Sequence, residues 1–131
     1  MPNISRRKAS TVSRAYITPE QIKAFDEYVK EVADLLNLRD WRIENAQKYA
    51  SRGVCAEVSI SLEDRLATYA IGRDWRPMPI NDRTLRDTAV HELLHVFLRP
   101  LMQACADRDE RQAQALEHSV ITVLEKLLSK G

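Results

Sequence analysis

The sequence predicts a single α+β domain, and three observations support this fold class. The chain has 131 residues, a length that suits one domain with one hydrophobic core. Apolar residues recur at helical spacing in three stretches. They alternate with polar residues in the region after the first of these stretches. We therefore expect the order helix, three strands, helix, helix, with a small and mostly antiparallel sheet.

Composition argues against several classes of protein. The 20 Lys and Arg residues nearly balance the 19 Asp and Glu residues, whereas a general nucleic-acid binder should be plainly basic. No apolar run approaches the roughly 18 residues of a membrane-spanning helix, and no secretory signal is recognisable. Cys55 and Cys105 are isolated in apolar surroundings, which indicates a reducing compartment. We expect a cytoplasmic protein without a membrane partner.

The first helix follows a polar, basic stretch. Residues 1–15 lack hydrophobic periodicity, so we expect a flexible arm there and a single domain over residues 16–131. Thr18, the proline after it and Gln21 together form the start signal of a helix. Apolar residues then recur every three or four positions. Asn37 is the expected end, because asparagine tolerates the left-handed conformation in which helices often finish.

Three strands are expected next. Residues 41–43 alternate between apolar and polar and predict a short first strand, and the alternation is clearer at 54–62. Glu63 and Asp64 provide a turn. Residues 65–72 then return as the third strand.

Two helices complete the chain. Asn81 or Asp82 can cap the first of them, and Pro100 is expected to bound it because proline cannot continue the hydrogen-bond ladder of a helix. A charged run at 107–111 leads into the last helix, which is amphipathic and is expected to reach Leu128.

The first of these two helices contains the sequence His91-Glu92-Leu93-Leu94-His95. Four residues correspond to about 400° of helix rotation, so the two imidazoles project from nearly the same face. Nitrogens held in this way suit adjacent positions of a tetrahedral Zn²⁺ site, and Glu92 stands beside them, where it can act as a general base. The alternative is that the two histidines are core residues bonded to the backbone.

A metal site of this kind requires a third ligand, and Glu117 and His118 are the main candidates. On a helical projection of the last helix, Glu117 falls within the apolar arc and His118 falls at its margin. A carboxylate on a core-facing stripe is costly unless a cation neutralises it, which favours Glu117. Pairing of Glu117 with Arg86 or Arg99 is the alternative. His118 remains the fallback ligand or a donor to the transition state.

The pattern His91-Glu92-x-x-His95, with Glu117 on the next helix, resembles the gluzincin class of zinc metallopeptidases. Within that class it looks most like the minimal single-domain minigluzincins and small phage-type proteins. The resemblance implies a zincin-like fold in which the two histidines and Glu117 bind zinc, Glu92 is the general base, and the substrate is a peptide or protein. A strand at the sheet edge lies along the cleft in zincins, and residues 65–72 are the candidate for it, with a purely structural hairpin arm as the alternative.

The chain departs from the thermolysin-type pattern at Ile121, where those enzymes carry an acidic residue that orients a histidine ligand. We expect the orienting contact to come from elsewhere, with Asp87 as a candidate. Tyr69 and Tyr49 are candidate donors to the oxyanion, although each is also typical of an aromatic residue at the edge of a core.

Two further functions stay open. Larger gluzincins have another subdomain for which this chain has no room, which favours a non-catalytic, zincin-like binding or regulatory module. A latent enzyme whose cleft is blocked by residues 1–15 is a variant of this idea. The third function is a nucleic-acid-associated factor that uses Arg6, Arg7, Lys8 and Arg14, although such clusters are commonly solvated tails.

Overall fold

The computed structural model describes residues 16–106 and 109–129, so the predicted arm at residues 1–15 lies outside the described part of the chain. The described residues form three helices and a three-stranded sheet, which confirms the α+β class and the predicted order. No helix in these ranges is long and apolar enough to cross a membrane. The elements are α1 (Pro19–Leu35), β1 (Arg42–Tyr49), β2 (Ala56–Ser61), β3 (Leu66–Ile71), α2 (Asp82–Ala106) and α3 (Glu110–Ser129).

Helix α1 begins as the sequence predicts. Thr18 Oγ1 accepts a hydrogen bond from the backbone N–H of Gln21 at 3.2 Å, and the Thr18 N–H donates to Gln21 Oε1 at 2.9 Å. This reciprocal capping box satisfies two N–H groups that would otherwise lack partners. The helix ends at Leu35, and Asn37 adopts the expected left-handed conformation, with a φ of 56°. The buried face consists of Phe25, Val29 and Val32.

The sheet is mixed, so the prediction of a mostly antiparallel sheet is wrong. The strand order is β1-β3-β2, and β3 runs parallel to β1 and antiparallel to β2. The expectation that residues 65–72 form the edge is also wrong, because β3 is the central strand and the edges are β1 and β2. The central position suits β3, since the consecutive residues Tyr69, Ala70 and Ile71 are all buried and need cover on both faces.

Strand β1 is longer than the strand predicted at 41–43. It extends to Tyr49, but its pairing with β3 shifts register between Asn45 and Tyr49. Gln47, inside this segment, has a φ of 61°, a left-handed conformation that interrupts the alternation of side chains. A pattern with a period of two residues therefore detects only the regular first part of the strand.

Helix α2 continues past Pro100, where its end is predicted from the sequence. Pro100 has no N–H to donate to the carbonyl of Val96, yet the helix runs on to Ala106. Met102, beyond the proline, is only 5% exposed and belongs to the hydrophobic core. Burial of Met102 and the packing of α2 on α3 outweigh the local cost of the proline, which is about 3 kcal/mol in a helix interior.

Helix α2 lies at the centre of the domain, because it packs against α1, α3 and β2. Ala89, Leu94 and Val96 on this helix are fully buried, and Glu92 is almost as inaccessible. Polar side chains on α2 are therefore brought into or beside the core, where each needs a hydrogen-bonding or charged partner.

Gly72, directly after β3, lies where the backbones of two segments approach closely. Its N–H donates to the carbonyl of Cys55 at 2.6 Å, and a Cβ added at Gly72 would collide with the carbonyl of Val54. We predict that Gly72→Ala lowers the free energy of unfolding by about 1–3 kcal/mol, because the two segments have to move apart. Chemical denaturation measures the change, and an unaltered midpoint would contradict this close approach.

Candidate active site

Helix α2 brings His91 and His95 together, as their spacing predicts. The ring centroids are 5.0 Å apart and the rings meet edge to face. His95 is the more buried of the two, with 18% of its side chain exposed against 37% for His91. Burial lowers the pKa of His95 below its ordinary value, and the neighbouring Glu117 carboxylate opposes this effect only in part. The surroundings thus favour a neutral imidazole, the form that binds metal ions.

Helix α3 places Glu117 against this pair. The residue is only 8% exposed, in agreement with its predicted position on the core-facing stripe, and its Oε2 accepts a hydrogen bond from His95 Nδ1 at 2.8 Å. No arginine forms an ion pair with Glu117 within residues 16–106 and 109–129; Arg86, one of the alternatives, pairs with Glu31 at 3.6 Å. The buried carboxylate therefore has a histidine as its partner.

Glu125 is a member of the site that the sequence analysis missed. Its Oε2 accepts a hydrogen bond from His91 Nδ1 at 3.1 Å. Asp87, the predicted source of an orienting contact, instead lies 3.8 Å from Arg83, on its own helix. Glu125 lies two helical turns beyond Glu117 on the same face of α3, so a search for an acidic residue two turns away would have found it.

His118 lies beside the pair but on the exposed side. Its ring centroid is 5.6 Å from that of His95. Its Nδ1 donates to the backbone carbonyl of Gln114 at 3.0 Å, one turn earlier in α3. The structure thus places both candidate third ligands next to His95, with Glu117 buried and His118 in solvent.

Glu92 is buried at the edge of the cleft, with 9% of the residue exposed. Burial raises the pKa of its carboxyl to about 8, and the negative charges of Glu57 and Glu125 add to the effect. A carboxyl of this kind exchanges protons more readily near neutral pH than an ordinary glutamate, which is the property that a general base and acid requires.

The cleft has a volume of about 410 Å³ and lies between α2 and the start of β2. The strand that borders it is β2, an edge strand, and not β3 as predicted. Cys55 also lines the cleft, and burial, together with the charge of Glu92, raises the pKa of its thiol. The residues that line the cleft are Val54, Cys55, Ala56, Met78, Thr84, Asp87, Thr88, His91, Glu92 and Glu125.

The two tyrosines suggested as oxyanion donors lie away from this cleft. The Tyr69 hydroxyl donates to Asp26 Oδ1 at 2.6 Å, and its ring packs against Phe25 with centroids 5.7 Å apart. Burial and this hydrogen bond raise the pKa of Tyr69 strongly. Tyr49 is 53% exposed and lines other cavities. The structure therefore assigns Tyr69 to the contact between the sheet and α1.

The chemistry of the donor set fits Zn²⁺: two imidazoles on one helix face and a buried carboxylate in contact with one of them. The hydrogen bonds of both rings use Nδ1, so within the described residues each Nε2 is available to a cation. The groups meet in pairs, however, and no three His, Cys, Asp or Glu side chains of the described chain surround one point. A complete site requires Glu117 to exchange its contact with Nδ1 for the ion.

Comparison of the chain with protein-family models, with curated proteins and with solved structures finds no match. The function proposed below is therefore supported by the residues of the site and their geometry.

Asp26 is predicted to be a structural partner of Tyr69. Its Oδ1 accepts from the Tyr69 hydroxyl and from Asn45 Nδ2, at 2.6 and 3.0 Å. We predict that Asp26→Ala lowers the free energy of unfolding by about 1–3 kcal/mol, because two partly buried donors lose their acceptor. Tyr69→Phe should cost about 1 kcal/mol of stability and leave the rate of peptide cleavage unchanged, because the hydroxyl is used by Asp26. A large fall in the cleavage rate of a folded Tyr69→Phe variant would return this tyrosine to the site as an oxyanion donor.

Proposed function

We propose that the protein is a zinc-dependent metallopeptidase, an enzyme that hydrolyses peptide bonds. The observation that carries this proposal is that α2 and α3 bring His91, His95 and the buried carboxylate of Glu117 together, with the two ring centroids 5.0 Å apart and the hydrogen bonds of both rings made by Nδ1. Two histidines and a glutamate are a recurrent donor set of catalytic zinc sites that keep a position open for water or substrate.

Each residue of the site has a separate role in this proposal. His91, His95 and Glu117 would hold the zinc ion. The chemistry that the ion supplies is Lewis acidity, which polarises a peptide carbonyl and acidifies a water molecule. Glu92 accepts a proton from the attacking water and passes it to the amine nitrogen that leaves. Glu125 holds the His91 ring in one orientation and one tautomer through its contact with Nδ1.

The proposed substrate is an extended peptide. Strand β2 is an edge strand, and its first residue, Ala56, lines the cleft. An added peptide strand can form main-chain hydrogen bonds with such an edge.

Both cysteines, Cys55 and Cys105, are free thiols, which supports our proposal of a cytoplasmic location.

A non-catalytic, zincin-like binding or regulatory module is the second candidate. The observation in its favour is that His91 pairs with Glu125 and His95 pairs with Glu117, so that each ring has a carboxylate partner without a metal ion. In such a module these pairs would stabilise the contact between α2 and α3, and the cleft would bind a peptide without cleaving it.

Measurements of zinc affinity distinguish between Glu117 and His118 as the third ligand. We predict one equivalent of zinc per chain, measured by elemental analysis and by competition with a chelating dye. Glu117→Ala should weaken zinc binding more than about 100-fold, since loss of a direct ligand exceeds the effect of losing an outer-shell partner. His118→Ala, the matched control on the exposed side, should change the affinity less than about threefold. The reverse ranking would make His118 the ligand, and a wild-type chain that binds no zinc would contradict the proposal.

Glu92→Gln separates the peptidase from the binding module. The substitution keeps the size of the side chain but removes its ability to accept a proton, so we expect zinc stoichiometry to stay unchanged. Cleavage of an unfolded protein substrate should fall by about 100-fold or more, the usual contribution of general acid–base catalysis. Mass spectrometry of the products measures cleavage. Equal activity in the variant would contradict the role of Glu92, and a wild-type protein that binds zinc without cleaving any peptide would favour the module.

A further inference from the structure

A second concave surface, which we call the basic pocket, adjoins the cleft. It has a volume of about 490 Å³ and is lined by Tyr16, Tyr49, residues 50–54, Arg73, Asp74 and Arg76. Val54 lines both the basic pocket and the cleft, and residues 55 and 56 continue into the cleft and β2. A peptide that lies along the edge of β2 and extends past Val54 would therefore reach the basic pocket.

The basic pocket carries an excess of positive charge. Arg76 is neutralised by Asp74, with Nη2 and Oδ2 2.7 Å apart. Arg52 and Arg73 also line the pocket, and neither forms an ion pair within the part of the chain that the structure describes. Two guanidinium groups are thus available to an anion.

The ring of Tyr16 holds the guanidinium groups of Arg73 and Arg76 in place. The guanidinium carbons of Arg73 and Arg76 lie 5.5 and 5.0 Å from the centroid of its ring. Arg76 also donates to the Tyr16 hydroxyl at 3.1 Å. Stacking on an aromatic ring restricts a guanidinium and lowers the entropy that it loses on binding a carboxylate.

Basic side chains line the basic pocket and not the cleft. Besides the imidazole of His91 and the buried Glu92, the acidic side chains of Asp87 and Glu125 line the cleft, and no described lysine or arginine lines it. An acidic side chain of a peptide would therefore find guanidinium partners only beyond Val54, in the basic pocket. We therefore expect a preference for acidic side chains on only one side of the bond that is cleaved.

We propose that the basic pocket is a specificity subsite for an aspartate or glutamate side chain of the substrate, located on one side of the scissile bond. This inference deepens the proposed peptidase function and rests on it. Guanidinium groups match the planar geometry of a carboxylate and can bind it through two hydrogen bonds. A polypeptide suits the pocket better than a nucleic acid does, because the pocket is a short concavity in a chain with a net charge of only +1.

The test uses pairs of peptides that carry glutamate or glutamine at one position, stepped through each site on both sides of the scissile bond. We expect glutamate to raise kcat/KM about fivefold over glutamine on one side only, the size of one or two exposed charge pairs. The double variant Arg52→Gln, Arg73→Gln should reduce the ratio of kcat/KM for the glutamate peptide to that for the glutamine peptide to about one. The control, Lys23→Gln with Arg39→Gln, makes the same charge change away from the pocket and should keep the preference. An absent preference, a preference on both sides, or one that survives the double variant would overturn the proposal.

A binding measurement separates failure of the subsite from failure of the peptidase. Fluorescence anisotropy with the Glu92→Gln variant compares the same labelled peptides without cleavage, and the glutamate peptide should bind about fivefold more tightly through Arg52 and Arg73. If this difference is found but the wild-type protein cleaves no peptide, the subsite is supported and the peptidase function is contradicted. If cleavage occurs but the two peptides bind equally well, only the subsite is contradicted. A single-stranded oligonucleotide that binds more tightly than the peptide, through the same arginines, would overturn the proposal in favour of a nucleic acid.

Discussion

The contact between α2 and α3 is the interaction on which the candidate site depends. Two hydrogen bonds cross it in antiparallel order, from His91 to Glu125 at 3.1 Å and from His95 to Glu117 at 2.8 Å. A shift of α3 by one residue would rotate its side chains by about 100° and separate both pairs. Burial makes this register important, because a carboxylate without a partner is costly in a core. Within the described residues, no side-chain nitrogen or oxygen that is fully shielded from solvent lacks a hydrogen bond.

Local sequence signals predicted the elements better than their arrangement. The capping box at Thr18, the left-handed Asn37 and the burial of Glu117 follow from short-range rules, and all three are present. The mixed sheet was not predictable in the same way, because the parallel pairing of β1 with β3 is a long-range contact. The helix end predicted at Pro100 was wrong for a related reason, since the tertiary packing of α2 overrides a local helix breaker.

In the candidate site, too, residues set by local helix geometry were predictable and contacts made by the folded chain were not. The spacing of His91 and His95 determines which face of α2 they share, and the helical projection of α3 identifies Glu117. Glu125 was missed because the residue one turn after Glu117 is the buried Ile121, and the acidic partner stands one turn further on. The basic pocket was equally invisible, because Tyr16 and Arg73 are far apart in the sequence and meet only when the chain folds. The cleft and the basic pocket adjoin at Val54, and within the described residues arginine side chains line only the pocket.

Zinc binding at this site is tested by a crystal structure of the zinc-loaded protein, with anomalous diffraction recorded on both sides of the zinc absorption edge. We expect one strong anomalous peak per chain, about 2.0–2.1 Å from the Nε2 atoms of His91 and His95 and at bonding distance from a Glu117 oxygen. Glu125 should keep its contact with His91 Nδ1. If both rings retain their carboxylate partners and zinc binds elsewhere, or does not bind, His91, His95 and Glu117 are not a zinc site.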